Sequence, residues 1–143
     1  MDRNHLLRQV AYMKNSLFDQ GYLDREQFTQ LEELQDDANP NFVEEIVTLY
    51  YNDSARLIQN MEQTLVNRPI DFVRLEEILH QFKGSSSSIG AKKVNDACTQ
   101  LKEYCSAENT EGCSRTLQLV KQEHAVLRTR LETYFQVLKQ EKS

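Results

Sequence analysis

Residues that break or turn the chain are scarce in this sequence. Of its 143 residues, only 4 are glycine and 2 are proline. This shortage of turn formers argues against a fold of many short strands and favours a few long helices. Hydrophobic residues make up 39% of the chain and charged residues 27%, an ordinary balance for a soluble domain with one hydrophobic core.

Long apolar runs and basic clusters are also missing. The sequence has no run of about 18 apolar residues, as a membrane-spanning helix requires, and residues 1–10 lack the apolar centre of a secretion signal. The formal net charge is −5 without a basic block, which argues against nucleic acid or an anionic membrane as the main partner. An odd count of three cysteines without a secretion signal favours reduced thiols in the cytoplasm or nucleus.

Apolar residues recur at helical spacing along almost the whole chain. The first predicted helix covers residues 4–18, and a short second helix follows the N-cap Asp24. A long third helix has Asn39 as its N-cap and Pro40 at its first position, and a fourth runs from Pro69 to about Ile89. The apolar stripe of a fifth helix runs from Val94 to Cys105, and a last helix of roughly 30 residues follows a loop at 109–112. We therefore expect one all-α domain over residues 1–143, an antiparallel four-helix bundle with two additional short N-terminal helices.

The last predicted helix carries the most regular apolar seam. Its members alternate steps of three and four residues: Leu117, Val120, His124, Leu127, Leu131, Tyr134 and Leu138. This position predicts that His124 is a packed or hydrogen-bonded structural histidine, whereas His5 lies near a terminus that is expected to fray. Cys98 and Cys105 are interpreted as small core residues, and Cys113 is placed in the loop without an assigned role.

The most informative segment is HQFKGSSSSIGA, residues 80–91. If it is helical, the side chains within about 60° of His80 share its face: Glu76, Glu77, Lys83, Gly84 and Ser87. The apolar side chains fall on the opposite face, between roughly 160° and 220° from His80: Leu75, Ile78, Phe82 and Ile89. His80 is therefore predicted to point away from the core.

The neighbours of His80 distinguish it from an ordinary surface histidine, which is the commoner case. Histidine can stay a neutral nucleophile near physiological pH, and Lys83 can pair with phosphoryl oxygens as a compact positive charge. Glycine inside a helix costs about 1 kcal/mol relative to alanine. Gly84 on the polar face therefore suggests that a partner approaches the backbone closely, with a packing contact as the alternative.

The four serines at 85–88 are interpreted as helix, because the residues on both sides keep the helical period. A flexible serine-rich linker is the alternative. Gly84 and Gly90 do not form a phosphate loop, since no lysine followed by serine or threonine comes after them. The sequence predicts no nucleotide-binding site, and no cysteine and histidine spacing fits a zinc site.

The segment 80–91 resembles the signature of histidine-containing phosphotransfer domains, in which a lysine and a glycine follow a histidine at the third and fourth positions. The match through the serines to Ile-Gly-Ala is similar to the plant members of that family, which relay signals in cytokinin-type two-component phosphorelays. The resemblance also covers the helix start at 39–42 and the long final helix. It implies that His80 is the phosphorylated residue and that Lys83 is the positive charge that pairs with its phosphoryl group. It also implies that Gly84, which has no side chain, leaves clearance beside the imidazole for the receiver.

The resemblance further implies the reaction and the partners. His80 would accept a phosphoryl group from the receiver domain of a hybrid sensor histidine kinase and pass it to the receiver domain of a response regulator. The chain would be a phosphocarrier without a cofactor of its own, and the magnesium ion would belong to the receiver. We expect a monomer in the cytoplasm and nucleus, with Gly84, Gln81 and Ser87 on the docking surface.

Two points stay open at this stage. The alternative function is a helical interaction module or decoy that binds receiver domains without phosphoryl chemistry. Since such a decoy would lack the acceptor histidine, the presence of His80 discriminates between the carrier and the decoy.

The short second helix, with Phe28 and Leu31, is a candidate wall of the docking surface, because six helices cannot bury every apolar residue in one bundle.

Overall fold

The computed structural model describes residues 2–143. Within that range the chain forms six helices: α1 (Arg3–Asp19), α2 (Arg25–Glu33), α3 (Phe42–Val66), α4 (Phe72–Ser88), α5 (Lys92–Ser106) and α6 (Thr110–Lys142). The all-α prediction is therefore confirmed. Met1, which the predicted domain over 1–143 includes, lies outside the described residues.

Helices α3 to α6 form the four-helix bundle. α4 packs between α3 and α5, α6 packs against α5 and α3, α1 lies along α6, and α2 contacts α3. Short turns at 67–71, 89–91 and 107–109 join the bundle helices, and such connections make consecutive helices antiparallel. The predicted architecture is confirmed, although α1 has 17 residues, as many as α4. Among the described helices, none combines the length and the apolar character needed to cross a membrane.

Aspartate side chains cap the start of α1, α2 and α4. The Asp24 carboxylate accepts a hydrogen bond of 3.0 Å from the backbone N–H three residues later, which satisfies a donor that the first turn of α2 leaves unpaired. Asp71 makes the corresponding bond of 3.0 Å at α4. For this reason α4 begins at Phe72, and the prediction that Pro69 opens the helix is wrong.

The start of α3 also differs from the prediction. α3 begins at Phe42, so the interpretation of Asn39 as N-cap and Pro40 as the first helical residue is wrong. The Asn39 backbone N–H donates to Asp36 Oδ1 at 2.9 Å and closes a turn instead. The side-chain oxygen of Gln35 accepts a hydrogen bond of 3.1 Å from the second N–H of α3. A side chain from the preceding segment thus supplies the cap.

Cys113 lies inside α6 and not in a loop, so its predicted placement is wrong. The helix begins at Thr110 because the Asn109 side chain accepts a hydrogen bond of 2.9 Å from the Gly112 N–H. Gly112 is buried, and the Tyr104 ring of α5 occupies the space that a Cβ at this position would need. The glycine therefore allows α5 and α6 to approach closely, rather than marking a loop.

One connected cluster of buried side chains draws on all six helices of the described range. It contains Phe28, which is 1% exposed, and Leu31, which is 8% exposed. The suggestion that these two side chains form a wall of the docking surface is therefore wrong, because α2 turns them into the core. Cys98 and Cys105 are buried in α5, as predicted.

His124 is buried at the centre of the bundle, which confirms its interpretation as a structural histidine. Its Nε2 and the Ser54 Oγ are joined by a hydrogen bond of 2.7 Å. Its ring centroid lies 4.6 Å from that of Tyr51 and 6.0 Å from that of Phe82. Burial, with a smaller contribution from the positive charge of Arg128, lowers the pKa of His124 to about 4.

This lowered pKa predicts a loss of stability in acid. The unfolded chain takes up a proton at His124 near pH 6.5, whereas the folded chain does so only near pH 4. The free energy of unfolding should therefore fall by up to about 3 kcal/mol as the pH drops through this window. Urea unfolding at pH 7 and pH 4 measures the fall, with His124→Asn as the control that lacks the titrating group. An equal fall in both proteins would contradict the prediction.

Candidate functional site

The two faces of α4 differ sharply. Its buried face packs between α3 and α5 and consists of Leu75, Ile78, Leu79, Phe82 and Ser86. His80 lies on the other face and is exposed to solvent. The predicted orientation of His80, away from the core, is confirmed.

His80 lies in an open depression between α4 and α5. The depression is lined by Val73, Glu76, Glu77, Leu79, His80, Lys83, Gly84 and Ser87 of α4 and by Lys102 of α5. Of the predicted site residues, His80, Lys83, Gly84 and Ser87 are thus brought together. Gln81 is also exposed, but it lies about 100° further around the helix than His80, to one side of the depression.

Lys102 is a lining residue that the sequence analysis missed. It lies 22 positions after His80 in the chain and on another helix, so only the packing of α4 against α5 brings it to the depression. Its signal in the sequence was weak, since Lys102 lies on the polar side of the stripe that includes Leu101 and Cys105. Together with Lys83, it gives the depression that contains His80 two lysine side chains.

The lysines and the carboxylates of the depression differ in their partners. The Glu77 carboxylate lies 3.7 Å from the Arg74 guanidinium, and Glu76 accepts a hydrogen bond of 3.0 Å from the Ser106 hydroxyl. Within residues 2–143, neither Lys83 nor Lys102 forms a salt bridge. Both ammonium groups are therefore available to an anion that enters the depression.

The backbone next to His80 is open on its outer side. Among the described residues, no atom from outside the local helix lies within 4 Å of the place where a Cβ of Gly84 would be. Packing within this chain therefore does not explain the glycine. An approaching partner can reach the helix backbone beside the imidazole without meeting a side chain there.

The serines that follow Gly84 are helical, so the flexible-linker alternative is wrong. The Ser85 hydroxyl donates to the carbonyl oxygen of Phe82, and Ser88 donates to that of Gly84. The buried Ser86 hydroxyl makes a hydrogen bond of 2.8 Å with the Tyr50 hydroxyl of α3. Each of these small polar side chains has a partner that stabilises α4 or joins it to a neighbour.

Asn95 of α5 is a second residue that the sequence analysis missed. Its amide nitrogen donates to the carbonyl oxygen of Lys83 at 3.2 Å and to the Ser87 hydroxyl at 2.6 Å. These bonds join α5 to the stretch of α4 that carries three of the lining residues, Lys83, Gly84 and Ser87. Asn95 therefore helps to fix the position of Lys83 relative to Lys102.

The other two histidines lie in different surroundings. His5 is exposed on the first turn of α1, and His124 is buried in the bundle. In the part of the chain that the structure describes, no three His, Cys, Asp or Glu side chains are close enough together to hold a metal ion. What the depression offers chemically is an exposed imidazole, two free ammonium groups and an open stretch of backbone.

Comparisons with known proteins show which family the chain resembles. The profile of the Hpt domain matches residues 45–140. The chain is 63% identical over 117 residues to histidine-containing phosphotransfer protein 4 of Arabidopsis thaliana, which covers 82% of this chain and 91% of that protein. It is 54% identical over 140 residues to pseudo histidine-containing phosphotransfer protein 5 of Oryza sativa subsp. japonica, covering 98% and 91% of the two chains.

A solved structure shows the same fold. The crystal structure of the histidine-containing phosphotransfer protein MtHPt2 from Medicago truncatula superimposes with a TM-score of 0.90 at 40% sequence identity. The match covers 96% of this chain and 93% of that one. The similarity therefore includes the two N-terminal helices as well as the four-helix bundle.

The Asn95 contacts predict a measurable contribution to stability. Asn95→Ala should lower the free energy of unfolding by about 1 to 2 kcal/mol, because it removes two hydrogen bonds between α4 and α5. Thr99→Ala is the matched control, since the Thr99 hydroxyl bonds only to the Asn95 carbonyl within α5 and both substitutions raise helix propensity by similar amounts. Urea unfolding should show the larger loss for Asn95→Ala; equal losses would mean that the contacts contribute nothing.

Proposed function

This chain belongs to the family of histidine-containing phosphotransfer proteins, and on that premise we propose that His80 carries a phosphoryl group between receiver domains. The donor is the receiver of a hybrid sensor histidine kinase, and the acceptor is the receiver of a response regulator, as in cytokinin-type signalling. The observation that carries the proposal is the exposed imidazole of His80, which lies beside Lys83 and an open backbone at Gly84.

The proposed reaction is an in-line displacement at phosphorus. A ring nitrogen of neutral His80 attacks the aspartyl phosphate of the receiver, a bond forms between nitrogen and phosphorus, and the acyl oxygen leaves as the aspartate carboxylate. The reverse reaction passes the group to the next receiver. The exchange conserves a high-energy phosphoryl bond, so it needs no nucleotide, and this chain acts as a carrier rather than as a conventional enzyme.

The two lysines of the depression support the transferred group. Lys83 and Lys102 lie on neighbouring helices at the edge of the same depression as His80, where their ammonium groups can pair with the phosphoryl oxygens. The magnesium ion that assists such a transfer belongs in the receiver, beside the aspartate that carries the phosphoryl group. In this proposal the chain supplies the nucleophile, the two positive charges and the docking surface.

Val73 supports docking of a receiver on this face. Its side chain is 70% exposed and lies seven residues before His80, which places it on the same side of α4 two turns away. It also lines the depression. Because Val73 lines the same depression as His80, a receiver that closes over the imidazole is expected to cover it and to gain an apolar contact there.

A decoy function is the second candidate, because three similar rice proteins carry the word pseudo in their names. Such a protein would bind receivers without accepting a phosphoryl group. The acceptor in this chain is present at position 80, and Lys83 and Gly84 accompany it at the spacing of the phosphotransfer signature. These three residues favour the carrier over the decoy.

The first test is loss of the acceptor. A receiver domain that carries a radiolabelled phosphoryl group should no longer label the His80→Gln variant. The helical circular-dichroism signal should stay unchanged, because the side chain at this position is exposed. His5→Gln, at the exposed histidine of α1, is the matched control and should be labelled like the natural protein. Label that persists in His80→Gln would show that His80 is not the acceptor. Receiver binding without labelling of the natural protein would support the decoy instead.

The second test concerns Gly84. Gly84→Gln should raise the melting temperature, because glutamine stabilises a helix by up to about 1 kcal/mol relative to glycine and the position is sterically open. The same side chain should obstruct the receiver and slow transfer by at least about 10-fold, since close approach of phosphorus to nitrogen is needed. Gly84→Ala should slow transfer less than Gly84→Gln does.

A small donor provides the control for Gly84. Phosphorylation of His80 by phosphoramidate does not require docking, so Gly84→Gln should react with it at nearly the rate of the natural protein. An equal loss with phosphoramidate and with the receiver would mean that the substitution damages the histidine itself. No loss with either donor would mean that Gly84 does not provide clearance.

A further inference from the structure

Two thiols face each other where α5 turns into α6. The Sγ atoms of Cys105 and Cys113 are 3.7 Å apart, although eight positions separate the residues in the sequence. Both are free thiols, and both are almost completely buried. This distance is that of two sulfur atoms in contact, so a small side-chain movement would bring them to bonding distance, about 2.05 Å.

The position of the pair allows access by local opening. Cys105 is next to the last residue of α5, and Cys113 lies in the first turn of α6. The turn between them is exposed and contains Glu108, a non-glycine residue with a φ of +52°, a conformation that costs free energy. Helix ends next to such a turn open far more often than the whole domain unfolds, which admits a small oxidant.

We propose that Cys105 and Cys113 form an intrachain disulfide when the protein meets a hydroperoxide such as hydrogen peroxide. In the first step one thiolate attacks the peroxide oxygen, the O–O bond breaks, and a sulfenic acid and hydroxide form. In the second step the other thiol attacks the sulfenic sulfur, a bond forms between the sulfurs, and water leaves. In total, two thiols lose two electrons and two protons, and one peroxide is reduced to two waters.

The surroundings assign different roles to the two thiols. Burial raises the pKa of both thiols. At Cys105 the negative charge of the Glu76 carboxylate adds to the effect of burial. Cys113 also lies in the first turn of α6, where the helix dipole favours a thiolate. Cys113 is therefore the attacking thiol and Cys105 the resolving one.

Cys98 is a matched control within the same helix. It is fully buried in the middle of α5, two turns before Cys105, and burial raises its pKa to about 12. It lies away from the helix end, so local opening of the α5–α6 turn does not expose it. Cys98 should stay reduced under conditions that oxidise the pair.

The test is oxidation of the full-length folded protein by hydrogen peroxide, followed by intact-mass measurement and peptide mapping without reductant. The expected result is a loss of two hydrogen atoms and a cross-linked peptide that joins Cys105 to Cys113, in the natural protein and in Cys98→Ala alike. Cys105→Ala and Cys113→Ala should form no such bond. A natural protein that stays reduced, that is cross-linked only in urea, or that forms a bond to Cys98 would overturn the proposal.

Trapping with dimedone tests the assigned roles. In Cys105→Ala the sulfenic acid on Cys113 has no resolving thiol and should be captured by dimedone. In Cys113→Ala the remaining Cys105 should give little adduct. The reverse pattern would overturn the assignment of Cys113 as the attacking thiol, even if the disulfide itself forms.

Discussion

The geometry of the site depends on the burial of one face of α4 between α3 and α5. Four large side chains on this face, Leu75, Ile78, Leu79 and Phe82, are at most 3% exposed. Burying each contributes roughly 1.5 to 3 kcal/mol, and their sum is comparable with the whole stability of a domain of about this size. A rotation that turned His80 inward would expose these side chains, so packing on one face fixes the imidazole in solvent on the other.

Helical periodicity therefore predicted the orientation of His80, because the apolar residues Leu75, Ile78, Phe82 and Ile89 share the opposite face of the helix. Val73 is an exception, since it is exposed on the same side as His80. The same reasoning identified the buried stripe of α5 and the seam of α6 that contains His124. These features follow from local sequence, since a helix sets the relative direction of side chains three and four positions apart. The depression beside His80 could be predicted only in part, through the residues of the same helix that share its face: Glu76, Glu77, Lys83, Gly84 and Ser87.

The features that the sequence did not predict depend on contacts between separate elements. Asn95 and Lys102 reach the site only because α5 packs against α4, and nothing in their local pattern marks them. The side chain of Gln35 caps α3 by accepting a hydrogen bond from the backbone N–H of Val43, eight residues later. Asn39 is a residue type typical of an N-cap, but it closes a turn instead. Gly112 suggested a loop, and only the Tyr104 ring packed on it explains a glycine inside α6.

The fold thus holds His80 in solvent, in a depression that also contains two lysines and an open stretch of backbone. In the proposed relay, the phosphoryl group on His80 is in transit and can leave without a nucleotide. The direct measurement is to purify the phosphorylated protein and mix it with an unphosphorylated receiver, magnesium ion and no ATP. The label is expected to leave the chain and to appear on the receiver aspartate as an acyl phosphate. Label that remains on the chain, or that appears only as free phosphate while the receiver stays unlabelled, would contradict it.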